Sequence, residues 1–171
     1  MKKRYVITPI VVLLSLFAIG KQAGVYWNMS DSFPPGLYQR LNAGIDRDQL
    51  VFVCLPAAVA SEAVEKGYVR AGAECPGGAQ TLLKKVAGLP GDNVQITDAG
   101  VSVNGVLYPN TRQFKKDGAG NPMKRKIGRF TVPQGHLLVL SDYNPLSYDS
   151  RYFGTIPESG YRGGAKALIK W

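Results

Sequence analysis

The sequence has 171 residues, enough for one domain that buries roughly 70% of its extended surface. Hydrophobic residues at 45% and charged residues at 19% exclude extensive disorder, and a formal net charge of +9 suits anionic neighbours such as lipid headgroups. With one histidine and two cysteines there is no ligand set for a metal centre, and no glycine loop ends in Lys-Ser or Lys-Thr, so neither a metal nor a nucleotide cofactor is expected.

The chain opens with Lys2, Lys3 and Arg4 ahead of an uncharged run from Tyr5 to Gly20. That run is shorter than the ~20 residues of a usual membrane span, but Lys21 can snorkel and let Gln22 to Tyr26 complete the crossing. Pro9 falls near the helix start, where a missing N–H does least harm. The alternative is a cleaved leader, since Ala18-Ile19-Gly20 offers the small residues that a leader peptidase reads. Both readings export the rest of the chain, because the N-terminal cations hold that end in the cytoplasm. Residues 1–25 are therefore assigned to one N-terminal transmembrane segment, and 26–171 to a periplasmic domain on a bacterial inner membrane.

Next comes "WNMSDSFPPGLYQRL", in which Ser30 and Ser32 precede Pro34, Pro35 and Gly36. Two hydroxyls against a rigid turn are either ordinary loop chemistry or a nucleophile held beside a membrane. "QLVFVCLP", Gln49 to Pro56, is a buried strand ended by proline. Ala57 to Gly67 changes to helix formers with a glycine stop, a short helical insert. It lies between Cys54 and Cys75, which an exported domain can oxidise; a bridge there would contribute ~3 kcal/mol, whereas the other reading is two unrelated buried thiols.

"TLLKKVAGLP" alternates so that Leu82, Lys84 and Val86 share one strand face, with Leu83, Lys85 and Ala87 on the other. One lysine is then pressed on the core and its neighbour left in water, unless both are solubilising residues of an edge strand. Strand runs at 94–97, 101–103 and 106–108 are separated by Asp98-Ala99-Gly100 and Asn104-Gly105, the second a strong signal for a type I′ hairpin. Lys115 to Arg129, rich in charge and glycine, is read as a mobile loop. Phe130 to Asp142 returns to strand, with His136 in a structural place, and Gly163 to Trp171 forms a final strand. The fold class is mainly β with one short helical insertion.

A histidine-based serine hydrolase would have to rely on His136 alone. Lysine can act as the base instead, provided that desolvation lowers its ordinary pKa near 10.4 by about three units. Strand spacing alone does not select such a lysine.

Three motifs do. "SDSFPPGLY" resembles the nucleophile box of type I signal peptidases, "KKVAGLPGD" their lysine box, and "VPQGHLLVLSDYNPLSYDSRYFG" their C-terminal Gly-Asp-Asn box. The resemblance implies an antiparallel β-sheet fold of the signal peptidase kind. It also implies roles: Ser32 as nucleophile, Lys84 as general base, and Ser30 in an oxyanion hole with the backbone N–H of Ser32. Ser147 orients the amine, Asp149 and Arg151 support the site, Asp142 is the first acid of the box and Lys85 is a bystander. Ser141 stands where the family carries glycine, and Tyr143-Asn144-Pro145-Leu146 replaces its polar run. Small size and the "S-x-P-P-G-L-Y" wording are similar to the TraF-type peptidases of conjugative plasmids. That subgroup implies a membrane-tethered pilin precursor as partner, matured for a type IV secretion system and in some members cyclised. No nucleic-acid partner is expected.

Three other readings compete, one of them a general signal peptidase. A self-cleaving repressor shares Ser-Lys chemistry but would need a helix-turn-helix, which this chain lacks. A non-catalytic, basic, membrane-anchored subunit of an export apparatus would use Lys115, Lys116, Lys124, Arg125 and Lys126 on anionic partners.

Overall fold

The computed structural model describes Gly20 and residues 24–171. The remainder of the proposed anchor lies outside the described residues. Val25 and Tyr26 belong to the first strand, β1 (Val25–Asn28), and so to the sheet and not to a membrane crossing. No helix among the described residues is long and apolar enough to span a bilayer.

The main sheet is antiparallel and seven-stranded. Besides β1 it contains β2 (Gly36–Leu41), β3 (Leu50–Val53), β5 (Leu82–Gly88), β10 (His136–Leu140), β11 (Ile156–Pro157) and β12 (Tyr161–Lys170). Their spatial order is β1-β2-β12-β3-β5-β10-β11. Gly36 opens β2 because the Ile169 carbonyl of β12 lies 2.1 Å from where a Cβ would stand. A second, four-stranded sheet is built from β6 (Asn93–Thr97), β7 (Gly100–Val103), β8 (Val106–Leu107) and β9 (Gly128–Thr131), in the order β8-β7-β6-β9. Its β7–β8 turn is the expected one: Asn104 and Gly105 have φ of 50° and 85°, both in the left-handed region that a type I′ turn demands.

The helical insert forms α1 (Ala57–Glu65), with Ala60 and Ala63 buried on the sheet and Gly67 at φ 71° just after its end. Cys54 and Cys75 are joined by a disulfide with Cα atoms 5.4 Å apart, and β4 (Ala71–Cys75) leads into it. The segment 115–127 holds no strand or helix, yet it is tied down: Tyr68 donates to Asp117, Arg125 pairs with Asp98, and the Lys126 N–H reaches the Arg151 carbonyl at 3.1 Å. The expected mobile loop is thus an anchored one.

The strand β5 is packed on both of its faces. Leu82 and Val86 pack with Val51, Leu137, Val139 and α1 on one side; Leu83 joins Phe33, Tyr38 and Phe52 on the other, and Ala87 faces the second sheet. A strand covered in this way has no watery face to offer. Lys85 accordingly is not left in water; it is three-quarters buried and paired with Asp142.

Candidate active site

Lys84 sits in the middle of β5 opposite Val51 of β3, and the side-chain alternation of the strand aims it at the same face as Leu82 and Val86. It is 2% exposed. Its Nζ lies 2.7 Å from Ser32 Oγ and 2.6 Å from Ser147 Oγ, and the two hydroxyls are 3.2 Å apart. Burial pushes the amine down from 10.5 to about 8; Asp149 opposes this and the Arg151 guanidinium adds to it. At pH 7 about one molecule in ten then carries the neutral amine, against about one in 3,000 for an unshifted lysine. Among the described residues no carboxylate pairs with Nζ, which is why desolvation prevails.

Ser32 stands on a turn outside any strand, where the carbonyls have no ladder to enter. Side chains take all but one of them, and the Trp171 N–H takes the last. Asn28, buried at the end of β1, donates from Nδ2 to the carbonyls of Ser30, Phe33 and Pro34 at 3.3, 3.1 and 3.2 Å. Arg70 reaches the Met29 carbonyl at 3.1 Å, and Asn144 Nδ2 the Asp31 carbonyl at 2.9 Å. Ser141 Oγ donates to the carbonyl of Ser32 itself at 2.5 Å, Tyr38 Oη to Pro34 at 2.7 Å and the Trp171 N–H to Pro35 at 3.1 Å. Every carbonyl from Met29 to Pro35 is thereby occupied.

Ser30 is part of the same local structure. Its hydroxyl and its N–H both donate to Asn28 Oδ1, at 2.7 and 3.1 Å. In this arrangement the Ser30 proton points at Asn28, so service in an oxyanion hole requires its Oγ to rotate away.

The third element is the segment 141–153. Asp149 and Arg151 are fully buried and meet through two parallel bonds, Nε to Oδ1 and Nη2 to Oδ2, both 2.7 Å. This is the bidentate geometry to which a guanidinium is suited. Asp149 also accepts the N–H of Arg151 at the start of α2 (Ser150–Phe153) and the N–H of Ser141. Arg151 spends its remaining donors on the carbonyls of Asn110, Arg112, Pro145 and Ser147, at 2.9–3.1 Å. The pair therefore holds both ends of the 141–147 loop, and with them the hydroxyls of Ser141 and Ser147. Asp142 points elsewhere, to Lys85, and touches neither Ser32 nor Lys84.

Sequence reasoning missed Asn28, and saw Ser141 and Asn144 only as departures from the family's glycine and polar run. An Asx turn was legible in "NMS", since asparagine commonly caps the N–H two residues on. The contacts of Ser141 and Asn144 cross 109 and 113 positions and left no local signal. Among the described residues, no group of three or more His, Cys, Asp or Glu side chains gathers to hold a metal ion.

Comparison with known proteins shows the family. The profile of the signal peptidase family, peptidase S26, matches residues 1–171. The plasmid transfer protein TraF of Escherichia coli is 38% identical over 151 residues, 87% of this chain and 85% of its own. The conjugal transfer protein TraF of Agrobacterium tumefaciens (strain 15955) is 39% identical over 162 residues, 93% of this chain and 90% of its own. Signal peptidase I V of Bacillus subtilis (strain 168) matches over a shorter stretch, 35% identical over 92 residues, 49% of this chain and 55% of its own. Among solved structures, a signal peptidase I from Enterococcus faecalis V583 aligns over 74% of this chain and 98% of its own, with a TM-score of 0.42 and 22% identity. The chain belongs to the signal peptidase family, peptidase S26.

Proposed function

We propose that this protein is a membrane-anchored serine endopeptidase that uses a Ser32–Lys84 dyad on the periplasmic face of the inner membrane. The observation that carries the reading is the buried triangle of Lys84 Nζ with the hydroxyls of Ser32 and Ser147. In the neutral amine one lone pair receives the Ser32 proton while an N–H donates to Ser147, which turns the lone pair toward the nucleophile. Ser32 Oγ attacks a peptide carbonyl, the backbone N–H of Ser32 and a rotated Ser30 hydroxyl stabilise the oxyanion, and Lys84 returns the proton to the leaving amine. Water then releases the acyl group.

The substrate we infer is an exported precursor, a conjugative pilin subunit of a type IV secretion system, in keeping with relatives named for plasmid and conjugal transfer. Release by the precursor's own N-terminal amine would give a circular product in place of a linear one. Trp27, Met29, Leu146 and Trp171 are each more than half exposed on or beside the nucleophile turn and the 141–147 loop, an apolar rim suited to the edge of a bilayer.

The test is mass spectrometry of a co-expressed pilin precursor with wild type, Ser32→Ala and Lys84→Met, all shown to be folded and membrane-inserted. Processing by wild type alone supports the dyad, and a product lighter than the linear form by one water is circular. Processing by both variants would favour the non-catalytic subunit.

A further inference from the structure

Among the donors that hold the turn carrying Ser32, two sets differ in origin. Asn28 and Tyr38 are its neighbours in sequence and shape it from within. The two carbonyls at its apex, those of Asp31 and Ser32, are satisfied, among the described residues, only by the 141–147 loop, through Asn144 Nδ2 at 2.9 Å and Ser141 Oγ at 2.5 Å. That loop also carries Ser147, whose hydroxyl touches Lys84. It is internally braced, since the N–H of Asn144 donates to Ser141 Oγ at 3.0 Å and the N–H of Ser147 to the Asn144 carbonyl at 3.1 Å.

We propose that Ser141 and Asn144 are positioning residues that clamp the nucleophile turn to the loop carrying Ser147, and so keep the Ser32 hydroxyl on the Lys84 amine. Three features of the geometry support this. Ser141 is fully buried and its one proton goes to the backbone of the nucleophile; the resemblance places glycine at this position, and a glycine has no hydroxyl to give. The Ser141 N–H is fixed by Asp149 at 3.0 Å, so the hydroxyl is aimed from a rigid base. Asn144 Oδ1 accepts the N–H of Leu146 at 2.9 Å, which fixes its amide so that Nδ2 faces Asp31. A hydroxyl–amine contact of 2.7 Å is sensitive to shifts of an ångström, and a misplacement of that size can cost about 100-fold in rate. The clamp deepens the Ser32–Lys84 reading and rests on it.

A measurement that needs no substrate tests it. The disulfide leaves Ser32→Cys with a single thiol in the full-length protein. The pH midpoint of its alkylation by iodoacetamide is measured with Lys84 present and with Lys84→Met, and the difference reports how strongly position 32 feels the amine. We expect that difference to exceed about one pH unit with the clamp intact, and to fall by half or more with Ser141→Ala or Asn144→Ala. Asn144 is partly exposed, so Asn144→Ala keeps the test alive should Ser141→Ala misfold. In precursor processing, Ser141→Ala is expected to lose about tenfold in kcat with KM unchanged. An unchanged Lys84-dependent midpoint in both clamp variants would overturn the clamp alone. A parent in which Lys84 has no effect on the thiol would overturn the dyad and the clamp together.

Discussion

The two faces of β5 carry neighbouring lysines with opposite fates. On one face Lys84 is buried between two serine hydroxyls with no carboxylate on its amine, and it titrates near 8. On the other Lys85 keeps a quarter of its side chain exposed and pairs with Asp142. Both sit in the same apolar strand. What separates them is first burial, which disfavours the ammonium of Lys84, and then the nearest oxygens, two hydroxyls for Lys84 and a carboxylate for Lys85. Asp149, the carboxylate whose charge acts on Lys84, is engaged by the bidentate bond to Arg151.

The comparison can be broken most sharply at the amine. Lys84→Met and Ser32→Ala are each expected to lower precursor processing by a factor of about 1,000 or more, with far-ultraviolet circular dichroism unchanged. Lys85→Met is expected to leave the rate within a few-fold of wild type. The next effect is on stability. Arg151→Met leaves Asp149 charged, buried and unpaired, so we expect a loss of about 3–5 kcal/mol in urea unfolding. The same variant frees Asp149 toward the amine, which should move the rising limb of the pH–rate profile above its wild-type position near pH 8.

Lys84→Met should also be more stable than wild type at neutral pH, by about 3 kcal/mol before repacking effects. The direction of the shift sets the sign. The folded amine titrates near 8 and the unfolded one near 10.4, so between those values the unfolded state binds more protons and stability rises with pH. Below pH 8 the burial cost is present in full, and it disappears above the unfolded pKa. Thermal unfolding of the two proteins across pH 7–10 should therefore converge. The smallest effect belongs to the other face: Asp142→Asn removes a partly exposed pair and should cost about 1 kcal/mol or less, with the loss shrinking in high salt.

Much of this contrast was legible beforehand, and the reason is spacing. Period-two alternation separated Lys84 from Lys85, the Asn104-Gly105 turn set the β7–β8 register, and alanine-rich helix formers ahead of Gly67 placed the insert. The three motifs brought Ser32, Lys84, Ser147, Asp149 and Arg151 into one list, and the fold brings all five into one connected cluster. What stayed hidden depends on tertiary approach. Asn28 looks like any polar residue at a strand end, Lys85 looks solvated until the fold brings Asp142 to it, and no window of sequence shows that a serine at 141 reaches a carbonyl at 32.

The order of strands in the main sheet also bears on how the protein is made. β12 lies between β2 and β3, so within the sheet the β1–β2 hairpin that flanks Ser32 is hydrogen-bonded toward the strand of Lys84 by way of β12, a segment more than a hundred residues further along the chain than β2. Such long-range pairing carries a large loop-closure cost and forms slowly. Until β12 pairs, Ser32 and Lys84 share packing and side-chain contacts but no continuous hydrogen-bonded sheet. We therefore expect the contact between Ser32 and Lys84 to be fixed late in folding, when that strand closes the sheet.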